Sequence, residues 1–505
     1  MYYLLPINSI LYLGKKNASS ILSDMIKYYF CAYNIKNMEI EGGFDIGQMG
    51  VPLNQEELLI LERESQDGNK TSSWRIAIHY FLSKKTIDDL VLKYIDLALE
   101  ADDNIILYLL CDVFKNGFNE DGFCIQKSED LYFKYMLKRK NFSSFHELLK
   151  MSEGYPERQN KIIEAAQKSE LHSIYNDLAK KILELTNGSQ CKTFIYIKAM
   201  SDVYDFFIEE RRKHLAKPIA LGKEERMTHY TNKTAIHSML RLPADMKDLS
   251  EYKEKYPVLR LYNTAYMNDP EEGLYLFGCD SLKEIVSYIE EERYFNTYLA
   301  SLSTHQIDNL TMWRLYGQDG KGISILLPYK DYKSIVPSLI DLFTGTFHSN
   351  QSNIDADEGN ILLYEVSYDC KEIRIKIAEK IESIEKIIID NNDSNNKELR
   401  ECLFRFFARA CDEIRYLFKN PQYQIEKEFR YLTFHNINSL SVKEDERDIP
   451  HLYVETQPDL FRKGTEIIIG PKAEDQIALK LDIEYRLKRY GFNDVNVSIS
   501  KAKYK

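Results

Sequence analysis

The sequence predicts an α-helical, repeat-like N-terminal region followed by an α+β domain with a mixed sheet. Three observations lead to this fold class. Apolar residues recur at helical spacing through the first ~215 residues. Turn signals such as Asn187-Gly188 separate these helical segments. From about Lys223 onward, short β-type runs alternate with helical ones. The chain has 505 residues, which suggests two to four domains at about 150 residues each.

Composition narrows the class of protein. The chain has 67 basic and 78 acidic residues, a formal net charge of −11. This balance disfavours a general affinity for nucleic acid, because phosphate binding needs a positive surface. No run of about 18 apolar residues occurs, and the N-terminus lacks the basic region and cleavage site of a signal peptide. We therefore expect a soluble, cytoplasmic protein without a membrane partner.

The eight cysteines give no sign of a metal site. They are scattered along the chain, none forms a C-x-x-C pair, and none clusters with histidine. This pattern argues against structural zinc and against a disulfide framework. We expect no metal and reduced thiols.

The N-terminal half divides into a helical segment at residues 1–70 and a helical domain at residues 71–215. Within about Ser72–Glu153, the stretches Tyr108–Gly117 and Lys127–Tyr135 resemble a degenerate Sel-like repeat, a relative of tetratricopeptide repeats. Such a repeat pairs two helices, and the resemblance implies a region that binds a protein partner. An ordinary helical domain is the alternative interpretation.

Residues 223–505 have the pattern of an α+β domain, with a helical pair inserted at residues 371–419. The predicted strands are Arg226–Tyr230, Thr264–Met267, Tyr298–Ser303, Ile323–Leu327, Leu362–Tyr368, Phe429–Phe434, Glu466–Ile469 and Val495–Ser500. The predicted helices are Thr234–Arg241, Ser281–Arg293, Leu310–Leu315, Tyr332–Leu342, Ile373–Ile389, Lys397–Phe418 and Ala473–Tyr490.

Two short segments near the start of this domain could contribute to chemistry. The run His229-Tyr230-Thr231 leaves the first predicted strand, where an imidazole at the strand edge could bind a ribose hydroxyl. The run Asn268-Asp-Pro-Glu-Glu272 opens a turn with side chains that bond local backbone. A structural histidine and a plain turn are the simpler interpretations of these two segments.

Two later segments add polar and aromatic side chains. Ser301 and Ser303 share one face of a strand, and Trp313 and Tyr316 follow on a short helix. In Glu426-Lys-Glu-Phe-Arg430, the two-residue period of a strand predicts that Glu426, Glu428 and Arg430 point to one face. The two carboxylates would then lie two residues apart along the strand, about 6–7 Å. On an outer sheet face this would be a solvated edge, whereas in a cleft it would be a carboxylate pair with an arginine.

The order of these segments resembles the ADP-ribosyltransferase superfamily. More narrowly, residues 227–504 resemble a bacterial domain family of unknown function whose members share the motifs N-D-P-x-E, W-x-x-Y, E-x-E-x-R and I-I-x-G-P-K. This chain has Asn268–Glu272, Trp313–Tyr316, Glu426–Arg430 and Ile468–Lys472 at the corresponding places. The resemblance implies a mixed sheet of ADP-ribosyltransferase-like type.

The resemblance also implies roles for residues, with NAD as the substrate. Glu428 would stabilise the oxocarbenium-like transition state through the 2′-hydroxyl, with Glu426 as the second catalytic carboxylate. His229 would bind a ribose hydroxyl. The remaining residues implied in NAD binding are Tyr230, Thr231, Tyr266, Asn268, Ser301, Ser303, Trp313, Tyr316 and Arg430, of which Tyr266, Trp313 and Tyr316 are the candidates for stacking on nicotinamide. Superfamily members usually pair histidine with a single glutamate, or arginine with Glu-x-Glu. This chain pairs histidine with Glu-x-Glu, which leaves the acceptor open.

Three functions therefore compete at the level of sequence. The first is an NAD-dependent ADP-ribosyltransferase or NAD-cleaving enzyme acting on a macromolecular target, suited to a toxin or defence effector. The second is a non-enzymatic interaction scaffold with a degenerate NAD-fold domain. The third is an RNA-end phosphotransferase, which shares the fold but would need more basic residues near the cleft than Arg314, Lys321 and Arg430.

Overall fold

The computed structural model describes most of the chain after residue 52. The described ranges are 53–84, 88–98, 128–139, 142–170, 173–216, 226–240, 257–291, 296–328, 361–391 and 396–503, without residues 268, 270, 305–307, 436 and 457–458, and with short pieces between 111 and 125. The chain divides into two compact units. The first is Met1–Lys180 with Ile335–Asp355, and the second is Lys181–Ser334 with Ala356–Lys505.

The first unit is helical in its described part. Its helices are Gln55–Gln66 (α1), Lys70–Lys84 (α2), Asp89–Ala98 (α3), Glu129–Lys138 (α4), Phe142–Met151 (α5), Pro156–Gln167 (α6) and Ser173–Leu185 (α7), the last of which ends in the second unit. The helix α1 begins with a capping box, in which Asn54 accepts from the backbone of Glu57 and Glu57 accepts from that of Asn54. A helical N-terminal region, as predicted, is therefore what this part of the structure contains.

A small hairpin interrupts the helices. Phe118–Glu120 (β1) pairs antiparallel with Phe123–Ile125 (β2). Asp121-Gly122 was identified from the sequence as a turn signal, but neither strand was predicted. Most of the predicted helix Ile105–Phe114, and the Tyr108–Gly117 portion of the repeat-like stretch, lie outside the described residues.

The second unit contains the sheet. Its strands are Arg226–Thr231 (β3), Arg260–Asn263 (β4), Thr297–Ser303 (β5), Ile323–Pro328 (β6), Leu362–Glu365 (β7), Glu428–Phe434 (β8), Lys443–Glu444 (β9), Leu452–Glu455 (β10), Glu466–Ile469 (β11) and Asn496–Ile499 (β12). Its helices are Gln190–Lys213 (α8), Lys233–Met239 (α9), Lys283–Glu291 (α10), Leu310–Leu315 (α11), Lys371–Asn391 (α12), Asn396–Ala410 (α13) and Gln476–Arg489 (α14). This is an α+β arrangement, as the sequence predicts.

The sheet is mixed and ten-stranded, and it forks at β5. Along its main path the order is β12-β11-β6-β3-β5-β4-β10-β9, and β8 pairs with both β5 and β7. The described pairs are antiparallel except β11 with β12. One edge of β5 pairs with β8 along its whole length. The opposite edge is shared, because β4 pairs with Tyr298 and Leu299 whereas β3 pairs with Ser303.

The main hydrophobic core lies on one face of this sheet. Alternate residues of the central strands point into it, among them Met227 of β3, Ala300 of β5, Ile325 of β6 and Tyr431 of β8. The helix α14 covers this face with Leu479, Ile483 and Leu487. The side chains on the opposite face of β5 and β8 therefore lie outside this core, where polar residues can form a site.

Two predicted elements differ from the observed ones, and three observed strands of the second unit, β4, β9 and β10, were not predicted. The segment Thr264–Met267 is not a strand, because β4 ends at Asn263, whose side chain caps a 3₁₀ turn at Thr264–Tyr266. The predicted helix Lys397–Phe418 ends at Ala410 and continues as two 3₁₀ turns. The strands β9 and β10 were not predicted, since Lys443–Glu444 has no apolar residue and β10 has only four residues.

The helix α8 belongs to the second compact unit, although the sequence assigned residues 71–215 to one helical domain. Buried Arg211 of α8 bonds Glu413, and the Tyr204 hydroxyl donates to the other oxygen of that carboxylate at 2.5 Å. These partners lie more than 200 residues away, so only the folded chain brings them together. In the described part of the chain, no helix is both long and apolar enough to cross a membrane.

Candidate active site

The fork at β5 positions His229. Beyond the pair Thr228↔Ser303, β3 and β5 share no further register pair among the described residues. The imidazole of His229 occupies the gap, and its Nδ1 donates to the backbone carbonyl of Ser301 at 3.0 Å. Because a carbonyl oxygen can only accept, Nδ1 carries the proton and Nε2 of the neutral ring is an acceptor. Burial lowers the pKa of His229, against the smaller opposite effect of the Ser301 carbonyl, so the neutral form prevails at pH 7.

Ser301, Ser303, Glu428 and Arg430 lie on one face of the β5–β8 pair. Ser301 is opposite Arg430, and Ser303 is opposite Glu428. The exposed Ser301 hydroxyl hydrogen-bonds the Glu428 carboxylate. Strand alternation sends His229 toward the other face of β3, so His229 joins this group through the Ser301 backbone and not through a shared face.

Glu426 is not on the strand. It ends a 3₁₀ turn at Pro421–Glu426, and Lys427 then adopts a left-handed conformation with φ 42°, so β8 begins at Glu428. The prediction that Glu426 and Glu428 alternate along one strand is therefore wrong. The physical reason is the Asn420-Pro421 turn, in which Asn420 caps the backbone of Gln422.

A lysine brings the two carboxylates together nonetheless. Lys419 Nζ lies 2.7 Å from Glu426 Oε2 and 3.2 Å from Glu428 Oε2. The Tyr316 hydroxyl donates to the other oxygen of Glu426 at 2.5 Å, and the Ser303 hydroxyl donates to the Glu426 backbone carbonyl at 2.6 Å. The pair predicted from spacing is thus formed by tertiary contacts.

Arg430 is the centre of the remaining contacts. Its Nε and Nη2 atoms bind the two oxygens of Glu428 at 2.8 and 2.9 Å, a bidentate pair. Its Nη1 atom donates to Glu272 Oε1 at 2.5 Å and to the Tyr416 carbonyl at 2.6 Å. We call the group Glu272, Lys419, Glu426, Glu428 and Arg430 the charge cluster; all five of its members are buried.

Three members of the cluster, Lys419, Glu428 and Arg430, stay ionised. Burial by itself would raise the pKa of Glu428, but Arg430 and Lys419 more than offset it and lower the pKa to about 2. Burial would likewise depress the pKa of Lys419, and Glu428 raises it above the ordinary value. Three carboxylates against two cations give the charge cluster a formal charge of −1. Glu428 is therefore a fixed negative charge and not a proton donor or acceptor near pH 7.

The three aromatic candidates for stacking on nicotinamide differ in their burial and in their contacts. Trp313 is fully buried, its Nε1 donates to Asp308 at 2.8 Å, and its ring packs edge-on against Tyr230 at 5.0 Å. A Cβ on Gly317 would lie 2.4 Å from the Trp313 ring, so the indole has no face for a ligand. Tyr316 is 42% exposed, and only its hydroxyl reaches the charge cluster.

Tyr266 lies away from the charge cluster. It follows β4, whose last residue Asn263 is opposite Tyr298 at the start of β5. Glu428 is opposite Ser303, five residues further along that strand, a separation of roughly 16 Å. The Tyr266 ring stacks on His451 at 3.9 Å. Asn268 lies outside the described residues, and Thr231 ends β3 opposite Ile323.

Two members of the charge cluster were not singled out from the sequence as site residues. Lys419 lies just before the Asn420-Pro421 turn, which interrupts the continuous helix that would put residues seven apart, such as Lys419 and Glu426, on one face. Glu272 was seen only as the end of the Asn268–Glu272 turn, although its motif position was a usable signal. Among the described residues, no group of three or more His, Cys, Asp or Glu side chains is arranged to hold a metal.

Part of the chain matches a known protein family. Residues 312–431 match the model of a family described as a protein of unknown function (DUF2971). This is about a quarter of the chain; it includes Tyr316, Lys419 and the Glu426–Arg430 motif, and it leaves out His229 and Ser301. No curated protein matches the chain, and no solved structure matches it.

Proposed function

We propose that the chain is an NAD-cleaving enzyme with a sheet of ADP-ribosyltransferase-like type, which passes ADP-ribose to a macromolecular acceptor or to water. The main support is the fork at β5. There His229 binds the Ser301 backbone, and the Ser301 hydroxyl binds Glu428. The resemblance noted from the sequence assigns ribose binding and catalysis to these same three positions.

The electrostatics of the site suit this reaction. When the bond between ribose C1′ and nicotinamide breaks, nicotinamide leaves with the bonding electrons and positive charge develops on the ribose. A nucleophile then bonds to C1′ and loses its proton. A preorganised carboxylate stabilises the developing charge, and Glu428 is ionised whatever the pH above about 3, given its pKa of about 2. Neutral His229 offers Nε2 as an acceptor for a ribose hydroxyl.

The contacts of Glu428 define how a substrate would enter. Two bonds from Arg430, one from Lys419 and one from Ser301 account for the four acceptor sites of a carboxylate. A ribose hydroxyl would therefore replace the Ser301 hydroxyl, which is the exposed member of the four.

Because all four acceptor sites of Glu428 already have partners, the structure also supports a second candidate function, a non-enzymatic scaffold. A buried ion cluster with all partners present holds the helix-rich insertion and the sheet in one arrangement, since losing one partner would leave an uncompensated charge. In that case the protein would bind another macromolecule and would cleave nothing.

One experiment separates the two. Purified full-length chain is incubated with NAD, and nicotinamide is measured by chromatography; in parallel, biotin-labelled NAD is supplied with a cell lysate, and label on macromolecules is measured. The enzyme hypothesis predicts nicotinamide release in the first arm, and labelled macromolecules in the second if transfer is the main outcome. If nicotinamide release in the first arm stays at the rate of buffer alone and no macromolecule is labelled in the second, the scaffold is the better account.

A further inference from the structure

Glu426 is shielded from solvent, and only 2% of the residue is exposed. Lys419 Nζ binds its Oε2 atom at 2.7 Å, and the Tyr316 hydroxyl donates to its Oε1 atom at 2.5 Å. The Ser303 hydroxyl donates to its backbone carbonyl. An acceptor molecule that enters the site therefore cannot contact this carboxylate directly, although the resemblance noted from the sequence makes it the second catalytic carboxylate.

Tyr316 is the exposed partner of this carboxylate, since 42% of the residue is exposed. It directly follows the helix α11, and its backbone N–H donates to the Met312 carbonyl at 2.9 Å. The fully buried Trp313 anchors the same helix. The Tyr316 hydroxyl is therefore held in a fixed position between the surface of the protein and the buried Glu426 carboxylate.

The phenol of Tyr316 stays protonated near neutral pH. Burial is the main cause that raises its pKa, and the hydrogen bond to Glu426 and the charges of Glu426 and Glu428 raise it further, against a smaller effect of Arg430. A protonated phenol is not a base, but its oxygen can accept a proton while its own proton leaves. Glu426 is the group toward which that proton already points.

We propose that Tyr316 is a catalytic residue, which takes the proton of an acceptor hydroxyl or water and passes its own proton to Glu426. This inference rests on the proposed function, in which nicotinamide leaves C1′ with the bonding electrons. The acceptor oxygen then bonds to C1′, the acceptor proton moves to Tyr316 Oη, and the phenolic proton moves to Glu426 Oε1. We call these two residues the proton relay.

The charge cluster can take up this proton at low cost. With its three carboxylates ionised, it has a formal charge of −1, so one added proton makes it neutral. Uncompensated charge is costly in a buried site, and the transfer removes it. The same two proton movements in reverse then return the proton to solvent.

Nicotinamide release from NAD by the purified full-length chain, with and without sodium azide, tests the proposal. Tyr316→Phe keeps the ring but removes the relay. We expect a loss of at least about a hundredfold, because nicotinamide recombines with the ribose when no nucleophile is deprotonated. Azide should restore the rate to within about tenfold of wild type and give ADP-ribosyl azide, because an azide ion has no proton to lose.

Two further variants complete the experiment. Tyr485→Phe is the matched control, because Tyr485 is 57% exposed on α14, and it should match wild type with and without azide. Glu426→Gln removes the inner end of the proton relay, so it should be slow alone and recover with azide. Adding Tyr316→Phe to Glu426→Gln should cost little more than either change alone, since residues that act as a unit are not additive. A thermal melt shows that each variant is folded.

The outcomes separate this inference from the proposed function. If wild type releases no nicotinamide, both are overturned. If wild type is active but Tyr316→Phe keeps more than about a tenth of its rate, the proton relay alone is overturned. The same conclusion follows if azide restores neither Tyr316→Phe nor Glu426→Gln, because a structural defect is not repaired by a better nucleophile.

Discussion

His229 donates from Nδ1 to the backbone carbonyl of Ser301, 72 residues away, at 3.0 Å. This contact lies where β3 and β4 diverge along the same edge of β5. A side chain here replaces a ladder hydrogen bond, which leaves its second ring nitrogen available for other chemistry. The same β5 residue reaches Glu428 with its hydroxyl, so one strand links the imidazole and the carboxylate.

The first prediction concerns the pH dependence of activity. Since burial lowers the pKa of His229 below 6.5, the ring is neutral at pH 7 and protonates only below 6.5. Protonation removes the Nε2 acceptor, so NAD cleavage should fall on the acid side of that value. We expect His229→Gln to lower the rate and to remove this acid limb of the pH–rate profile.

His435 provides the matched control for that profile. Its pKa is also lowered by burial, but it follows β8 at the end away from the fork. His435→Gln should keep the acid limb, whatever its effect on stability. If the acid limb survives in His229→Gln, the imidazole does not act as proposed.

The second prediction concerns acid stability. Glu428 has a pKa of about 2 in the folded chain, against an ordinary value of 4.5, so the unfolded chain binds the proton more tightly. Its ionised form should therefore stabilise the fold fully above pH 5, on the order of 3 kcal/mol, and this contribution should be lost as the pH falls toward 2. Denaturant unfolding of wild type and Glu428→Gln at several pH values measures it: the difference between them should shrink with falling pH, and a constant difference would contradict the assignment.

The third prediction concerns Gly470. A Cβ there would lie 2.3 Å from the Gly320 carbonyl oxygen, and backbone cannot move aside cheaply. Gly470→Ala should lower the free energy of unfolding by roughly 1–3 kcal/mol. Gly278→Ala is the control, because its added Cβ would meet its nearest atom at an ordinary 3.5 Å. Equal melting temperatures for the two variants would show that the close approach is absent.

The sequence anticipates the architecture well where the signal is local. The alternation of short strands and helices after residue 223 predicts the α+β unit, and Ser301, Ser303, Glu428 and Arg430 fall on one face because strand alternation requires it. Sequence analysis fails where the backbone conformation of a single residue determines which residues belong to a strand. The left-handed φ of Lys427 removes Glu426 from the strand, and lysine gives no sequence signal for that conformation.

Contacts between residues that are far apart in the sequence are the other feature that could not be predicted. Arg430 and Glu272 are 158 residues apart, so no periodicity relates them. Trp313 shows a different failure, because an aromatic residue near a site is equally consistent with stacking and with packing. Only its complete burial and the close approach of Gly317 assign it to the core.

The fourth prediction is the most direct test of the central claim, and it compares two carboxylates that bind the same arginine. Glu428→Gln and Glu272→Gln each remove one buried ion pair with Arg430, so both should lower stability by roughly 3–5 kcal/mol. Only Glu428 also contacts Ser301 at the fork.

The measurement is nicotinamide release from NAD by wild type and both variants, at a temperature where all three are folded. We predict that Glu428→Gln loses ~10²–10³ in rate while Glu272→Gln stays within about tenfold of wild type. If Glu428→Gln retains more than about a tenth of the wild-type rate, or if both variants lose activity in proportion to their stability, the charge cluster is structural and the NAD-cleaving function is contradicted.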